Sequence, residues 1–94
     1  MIACDGGRCA LQGPITLASV VALLARGNEL FTTPQVTVDL AAVTEVDSSA
    51  LSLLLEWRRE AGRGGRSIHY LNLPANLKSL AELYGVTELI SDEG

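Results

Sequence analysis

The chain predicts an α/β fold built on a mixed, partly parallel sheet, and three observations carry that expectation. Short β-branched runs, QVTVDLAAV and RSIHYLNL, alternate with longer segments whose apolar residues recur at helical spacing. Two strand-like stretches at the start are separated by Gly6-Gly7, which favours an antiparallel hairpin. Glycines stand where each helical pattern stops. With 94 residues, 48% of them apolar, the sequence predicts a single domain over residues 1–94 with one aliphatic core.

The elements follow in order. Ile2–Cys4 and Cys9–Gln12 are the two short strands. Beyond Pro14, TLASVVALLARG places Leu17, Val20, Val21 and Leu24 on one helical face, with Thr16 as N-cap and Gly27 as C-terminal stop. In QVTVDLAAV, Val36, Val38 and Leu40 share one face of a buried strand, and Asp39 is expected at the rim. A loop over residues 41–46 then leads to a helix from Asp47 to about Ala61, ended by Gly62, Gly64 and Gly65. RSIHYLNL is the last strand, with His69 structural. Pro74 suits the first turn of a further helix carrying Leu73, Leu77, Leu80, Ala81 and Tyr84, closed by Gly85. The tail VTELISDEG adds one short strand or turn and an acidic end.

Composition excludes several classes of function. A net charge of −4 opposes nonspecific binding to nucleic acid or to an anionic membrane. Arg58, Arg59, Arg63 and Arg66 alternate with Glu56 and Glu60, as on a solvated helix face. No stretch approaches the ~20 apolar residues of a membrane span, and the start lacks the pattern of a signal peptide, so a cytoplasmic chain is expected. A hairpin could set Cys4 opposite Cys9, but a reducing compartment favours two free thiols. With His69 as the only histidine, neither a metal nor another cofactor is expected.

The stretch VDSSAL, residues 46–51, is where chemistry concentrates. Ser48 or Ser49 as a nucleophile needs a base, and no Gly-x-Ser-x-Gly elbow or Ser-x-x-Lys pattern surrounds them. Phosphate-binding glycine loops are also missing from the sequence. Asp47 or Ser48 can cap the helix, which leaves a second hydroxyl unexplained. A serine at a helix start is also a sound phosphoacceptor, and phosphorylation adds roughly −1.5 to −2 charges beside Asp47 and Glu45.

The helix that follows has a wide apolar arc. Leu51, Leu54 and Leu55 form its core stripe, and Ala50, Leu53 and Trp57 extend it onto a flank. That flank serves either further sheet contact or a partner surface around Trp57. Arg58 falls inside the arc, to reach the sheet edge or a partner carboxylate.

VTVDLAAVTEVDSSALSLLLEWRREA resembles the signature of STAS domains, the family of anti-sigma factor antagonists and sulfate-transporter tails. The resemblance implies the STAS fold, a mixed central sheet with helices mainly on one side, and a non-catalytic role in protein–protein contact. By position, Ser48 matches the hydroxyl residue phosphorylated by anti-sigma kinases, and Asp47 and Ser49 match its neighbours at the partner edge. Ala50 stands where the antagonist branch has Gly, and its methyl group is expected to press on a docked partner. The compact chain and the Glu-Trp-Arg-Arg helix end look more like the small STAS subunit of bacterial Mla phospholipid transporters. That likeness implies binding to the cytoplasmic ATPase of an ABC transporter, with its permease, and a position peripheral to the inner membrane through that partner. The candidate partner-binding residues are Asp47, Ser48, Ser49, Ala50, Leu53 and Trp57; the alternative partner is an anti-sigma factor kinase.

Overall fold

In a computed structural model, which describes residues 1–90, the chain begins with a hairpin. Strands β1 (Ile2–Asp5) and β2 (Arg8–Ile15) pair antiparallel around Gly6 and Gly7. Both glycines have positive φ, +60° and +88°, as a two-residue hairpin turn matched to the twist of its strands requires. The elements α1 (Val20–Leu30), β3 (Gln35–Val46), α2 (Ser48–Arg63), β4 (Ser67–Leu71), α3 (Ala75–Leu83) and α4 (Thr87–Ile90) follow. The sheet order is β1-β2-β3-β4, antiparallel in the first pair and parallel in the next two. It is the mixed sheet that the sequence predicts.

The strands alternate strictly enough to give the sheet two different faces. Cys9, Leu11, Val36, Val38, Leu40, Ile68 and Tyr70 point into the core, where the helices cover them. Ala3, Arg8, Ala10 and His69 are exposed on the opposite face. Period-2 patterning thus decides the architecture: one buried face and one open face place the helices on one side.

Cys4 and Cys9 are joined by a disulfide, which corrects the expectation of free thiols. The hairpin register puts the two residues directly opposite, with Cα atoms 4.0 Å apart. The loop predicted over residues 41–46 is likewise strand. Gln12 to Ile15 of β2 supply the pairing, from Gln12 opposite Ala42 to Ile15 opposite Val46, with one register shift between Gly13 and Pro14. Asp39 consequently lies within β3 rather than at its end. It accepts hydrogen bonds from the Ala41 N–H (2.9 Å) and Asn72 Nδ2 (3.0 Å).

Helix α1 departs most from its prediction. Thr16 begins a turn and Ser19 occupies the N-cap position, so the helix itself starts at Val20. It runs through Gly27 rather than stopping there, because the Trp57 indole lies against the bare Gly27 backbone. That packing outweighs the ~1 kcal/mol propensity cost of a helical glycine. The buried face is consequently Leu23 and Gly27, with Val20, Leu24 and Leu30 half-buried, while Leu17 and Val21 are exposed.

Helix α2 is the central packing element. Ala50, Leu51, Leu53, Leu54, Trp57 and Ala61 are all buried, so its wide arc is spent on the sheet and on α1. Trp57 donates from Nε1 to the Leu24 carbonyl (3.4 Å) and meets Phe31 edge to face at 5.0 Å. Arg58 reaches the sheet edge: Nε and Nη2 donate to the Ile68 carbonyl, Nη1 donates to the Leu89 carbonyl, and the guanidinium stacks over Tyr70. Arg59 and Arg63 pair with Glu56 and Glu60 on the outer face. In α3, Leu77 and Ala81 face inward, and Tyr84 is an exposed C-cap rather than part of the stripe. The tail forms the single turn α4 rather than a strand; the acidic end expected at Asp92 and Glu93 lies outside the described residues.

Candidate functional site

The site forms where two helix starts meet. Strand β3 delivers the chain to Asp47, whose extended backbone (φ −130°, ψ −171°) makes it the N-cap of α2. One carboxylate oxygen of Asp47 accepts the Ser49 N–H at 2.9 Å and also the Ser49 hydroxyl. The other accepts the Leu17 N–H at 3.0 Å, in the turn before α1. Asp47 therefore caps α2 and staples the α1 approach to it, satisfying backbone donors that would otherwise be orphaned. These hydrogen bonds, that of the Ser49 side chain above all, hold the Asp47 carboxyl below its ordinary value of 3.8 and keep it anionic at neutral pH.

The second hydroxyl now has an account. Ser49 is half-buried and spent on Asp47, whereas Ser48, the first residue of α2, is exposed. The Ser48 hydroxyl has no hydrogen-bond partner among the described residues. Ser52, one turn further on, is exposed on the same ridge. His69 points from the open face of the sheet, and α2 packs on the other face, so the sheet separates that imidazole from Ser48. The arrangement makes Ser48 accessible and polar without setting a histidine beside it.

Two shallow hollows flank the α2 ridge. One, of about 320 Å³, is lined by Ser48, Leu51, Ser52, Leu55, Tyr84 and Val86. The other, of about 350 Å³, lies between α1 and α2 and is lined by Val20, Val21, Leu24, Ser52, Leu53 and Glu56. Ser52 belongs to both.

Of the sequence-predicted site residues, Asp47, Ser48 and Ser49 come together at the α2 start. Ala50, Leu53 and Trp57 do not belong to an open surface: their exposures are 0%, 1% and 1%. Ala50 and Trp57 are corrected from partner contacts to core, and Leu53 is a core residue that reaches only the bottom of the α1–α2 hollow. The Ala50 methyl points inward, so it cannot press on a docked partner. Sequence reasoning missed Leu17, Val21, Ser52 and Tyr84 as surface. The signal for the first two is the absence of any charge from Cys9 to Ala25, longer than one buried helical face requires. Among the described residues, no cluster of three or more His, Cys, Asp or Glu side chains is placed to hold a metal ion.

These features define an α/β domain that presents an exposed helix start flanked by apolar hollows. The chain belongs to the STAS domain family: residues 4–91 match the family model described as "Mlab, STAS domain". STAS domains are generally non-catalytic regulatory modules that mediate protein–protein interactions. Among solved structures, the anti-sigma factor antagonist SpoIIAA in its unphosphorylated form is similar over 100% of this chain and 87% of its own, at 15% identity and a TM-score of 0.76. The Bacillus cell fate determinant SpoIIAA in its phosphorylated form covers 100% and 90%, at 15% identity and a TM-score of 0.67. A protein named Mglu matches 80% of this chain at 24% identity and a TM-score of 0.63; the match spans about a fifth (20%) of Mglu. At these identities the likenesses establish the fold. No curated protein matches the sequence. Among the described residues, no helix is long and apolar enough to cross a membrane.

Proposed function

We propose that the chain is a non-catalytic, single-domain STAS subunit that binds and regulates the cytoplasmic ATPase of a bacterial phospholipid ABC transporter. The site is the α2 start, with Ser48 at the contact and Asp47 and Ser49 holding its geometry. The observation that carries this reading is the exposed Ser48 hydroxyl, unpartnered among the described residues and beside a capping carboxylate, in a chain that matches the Mlab family model over most of its length. In the assembled complex the permease completes the transporter, and the subunit sits at the inner membrane through its partner. Its work there is to support the maintenance of outer-membrane lipid asymmetry.

A second reading makes the chain an anti-sigma factor antagonist, switched when a partner kinase phosphorylates Ser48. It is favoured by the likeness to SpoIIAA along the whole chain and by an accessible hydroxyl at the helix start. A phosphate there meets the Glu45 and Asp47 charges and repels an acidic partner edge without any change of fold. Purification of the native complex separates the two: an ABC ATPase with its permease supports the first reading, and an anti-sigma kinase in their place overturns it.

A further inference from the structure

From Leu17 to Ala25, the turn before helix α1 and its first half carry an outer face with no charge on it; Arg26 and Glu29 follow only in the second half. Leu17 is 77% exposed and Val21 76%, and the exposed positions between and beside them are Ala18, Ala22 and Ala25. A surface helix facing only water ordinarily carries polar residues on that side. This face continues into the hollow between α1 and α2, whose floor is Leu24 and Leu53 and whose far wall is Ser52 and Glu56.

Charge around this groove is unevenly placed. At its foot, Arg26 pairs with Glu29 at 3.0 Å, and along its wall Arg59 pairs with Glu56 at 3.3 Å, so both sites are internally neutralised. At its head stands Asp47, with Glu45 two residues earlier near the end of β3, and neither has an ion pair among the described residues. The Asp47 carboxylate lies against the Leu17 N–H, where the apolar face begins. The groove is therefore apolar along its length and anionic at one end.

We infer that the α1–α2 groove seats an amphipathic helix of the partner, whose apolar ridge fills the hollow and whose Lys or Arg meets Glu45 and Asp47 at the head. This rests on the proposed docking at the α2 start, which the groove adjoins through Ser52. Complementarity selects the occupant. A cation supplies what the acidic head lacks, and an apolar ridge with i, i+3 and i+4 side chains matches a slot between two helices. A second copy brings another net −4 against this surface, and an anionic lipid surface is repelled in the same way.

The test places a photo-reactive benzophenone amino acid at position 21 of the full chain, with position 69 on the open sheet face as control. After irradiation of the native complex, the crosslinked protein and peptide are identified separately. The expected capture at position 21 is a partner peptide with apolar residues at helical spacing and a basic residue within one turn, with no such capture from position 69. In parallel, Val21→Glu and Glu45→Lys each weaken the purified complex by about tenfold or more, the latter effect shrinking as salt is raised. The inference is overturned by capture of a second copy, a lipid or an acidic peptide, or by an intact complex in which position 21 captures nothing. The identity of the captured protein judges the proposed function independently: an ATPase captured through a peptide of the wrong chemistry keeps that function and sinks this inference.

Discussion

The Trp57 indole occupies the space that any side chain at position 27 would need. A Cβ built on Gly27 clashes with Nε1, Cε2 and Cζ2 of the indole, which is itself held by its hydrogen bond to the Leu24 carbonyl and by Phe31. α1 and α2 can approach closely only because residue 27 is bare. Gly27→Ala is expected to lower stability by about 1–3 kcal/mol through overpacking, despite alanine's better helix propensity. Denaturant unfolding measures the loss. Adding Trp57→Phe to the same chain should recover part of it, because the two sites share one contact.

Asp47 and Asp39 make stability depend on acid. Hydrogen bonds from Ser49 and Leu17 lower Asp47, and hydrogen bonds from Asn72 and Ala41 lower Asp39, both from an ordinary value of 3.8. A carboxyl whose folded value is depressed contributes stability that is present above the unfolded value. That contribution disappears as pH falls through the folded value. Melting temperature should therefore stay flat, as far as these two groups govern it, from neutral pH to about pH 4 and decline below it. Asp47→Asn keeps an acceptor for the cap and should flatten the acid limb in melts taken down to about pH 2. An unchanged acid limb in Asp47→Asn would remove Asp47 as a contributor.

Reduction should loosen the hairpin. The Cys4–Cys9 bridge closes a short loop, with a sequence separation of 5, and by loop closure it is worth about 2 kcal/mol. Treatment with a dithiol should lower the unfolding midpoint, and amides of β1 should exchange faster than those of β3. Cys4→Ser together with Cys9→Ser should reproduce both effects and become insensitive to the dithiol.

Arg58 ties the last described turn to the sheet. It donates to the Ile68 and Leu89 carbonyls, joining β4 to α4 across the end of α2. Arg58→Met keeps much of the side-chain volume and removes the donors. It should cost roughly 1–3 kcal/mol and raise hydrogen exchange in residues 87–90 before any other segment.

Ser48 tests the interface directly. Ser48→Tyr adds bulk at the exposed start of α2 without changing its charge. The fold should be kept, as read by circular dichroism, while affinity for the proposed partner ATPase falls about tenfold or more by calorimetry, because a side chain of that size holds a docked surface away. Equal affinity in the folded variant would take Ser48 out of the contact.

Much of this architecture was legible because it rests on local pattern. Val36, Val38 and Leu40 alternate as a half-covered strand must, and Asp47 precedes a leucine-rich helix as a cap should. What escaped was set by neighbours distant in the chain. Residues 41–46 read as a loop because their strand partner, the end of β2, is specified some thirty residues earlier. Gly27 read as a stop because its reason lies in Trp57, on another helix. The partner-facing role expected for Leu53 and Trp57 followed from a wide apolar arc, which has two explanations that a single helix cannot distinguish: an open surface, or a second helix packed against it. The surface position of Val21 is the mirror case, since an apolar residue on α1 reads as core until the buried face is fixed by what it meets. The Asp47 link to Leu17 spans 30 residues and has no local signature at all.

The bridge at the base of the Gly6-Gly7 turn also alters what a broken backbone means for this protein. A peptidase that cuts between those glycines opens the chain without releasing its first residues, because the sulfur link still joins both sides of the cut. The nicked molecule migrates as one species without thiol and sheds a short peptide when thiol is added. The tip of the hairpin is therefore a point where covalent continuity passes through a second route, and a tag or cleavage sequence inserted there leaves β1 attached to the sheet.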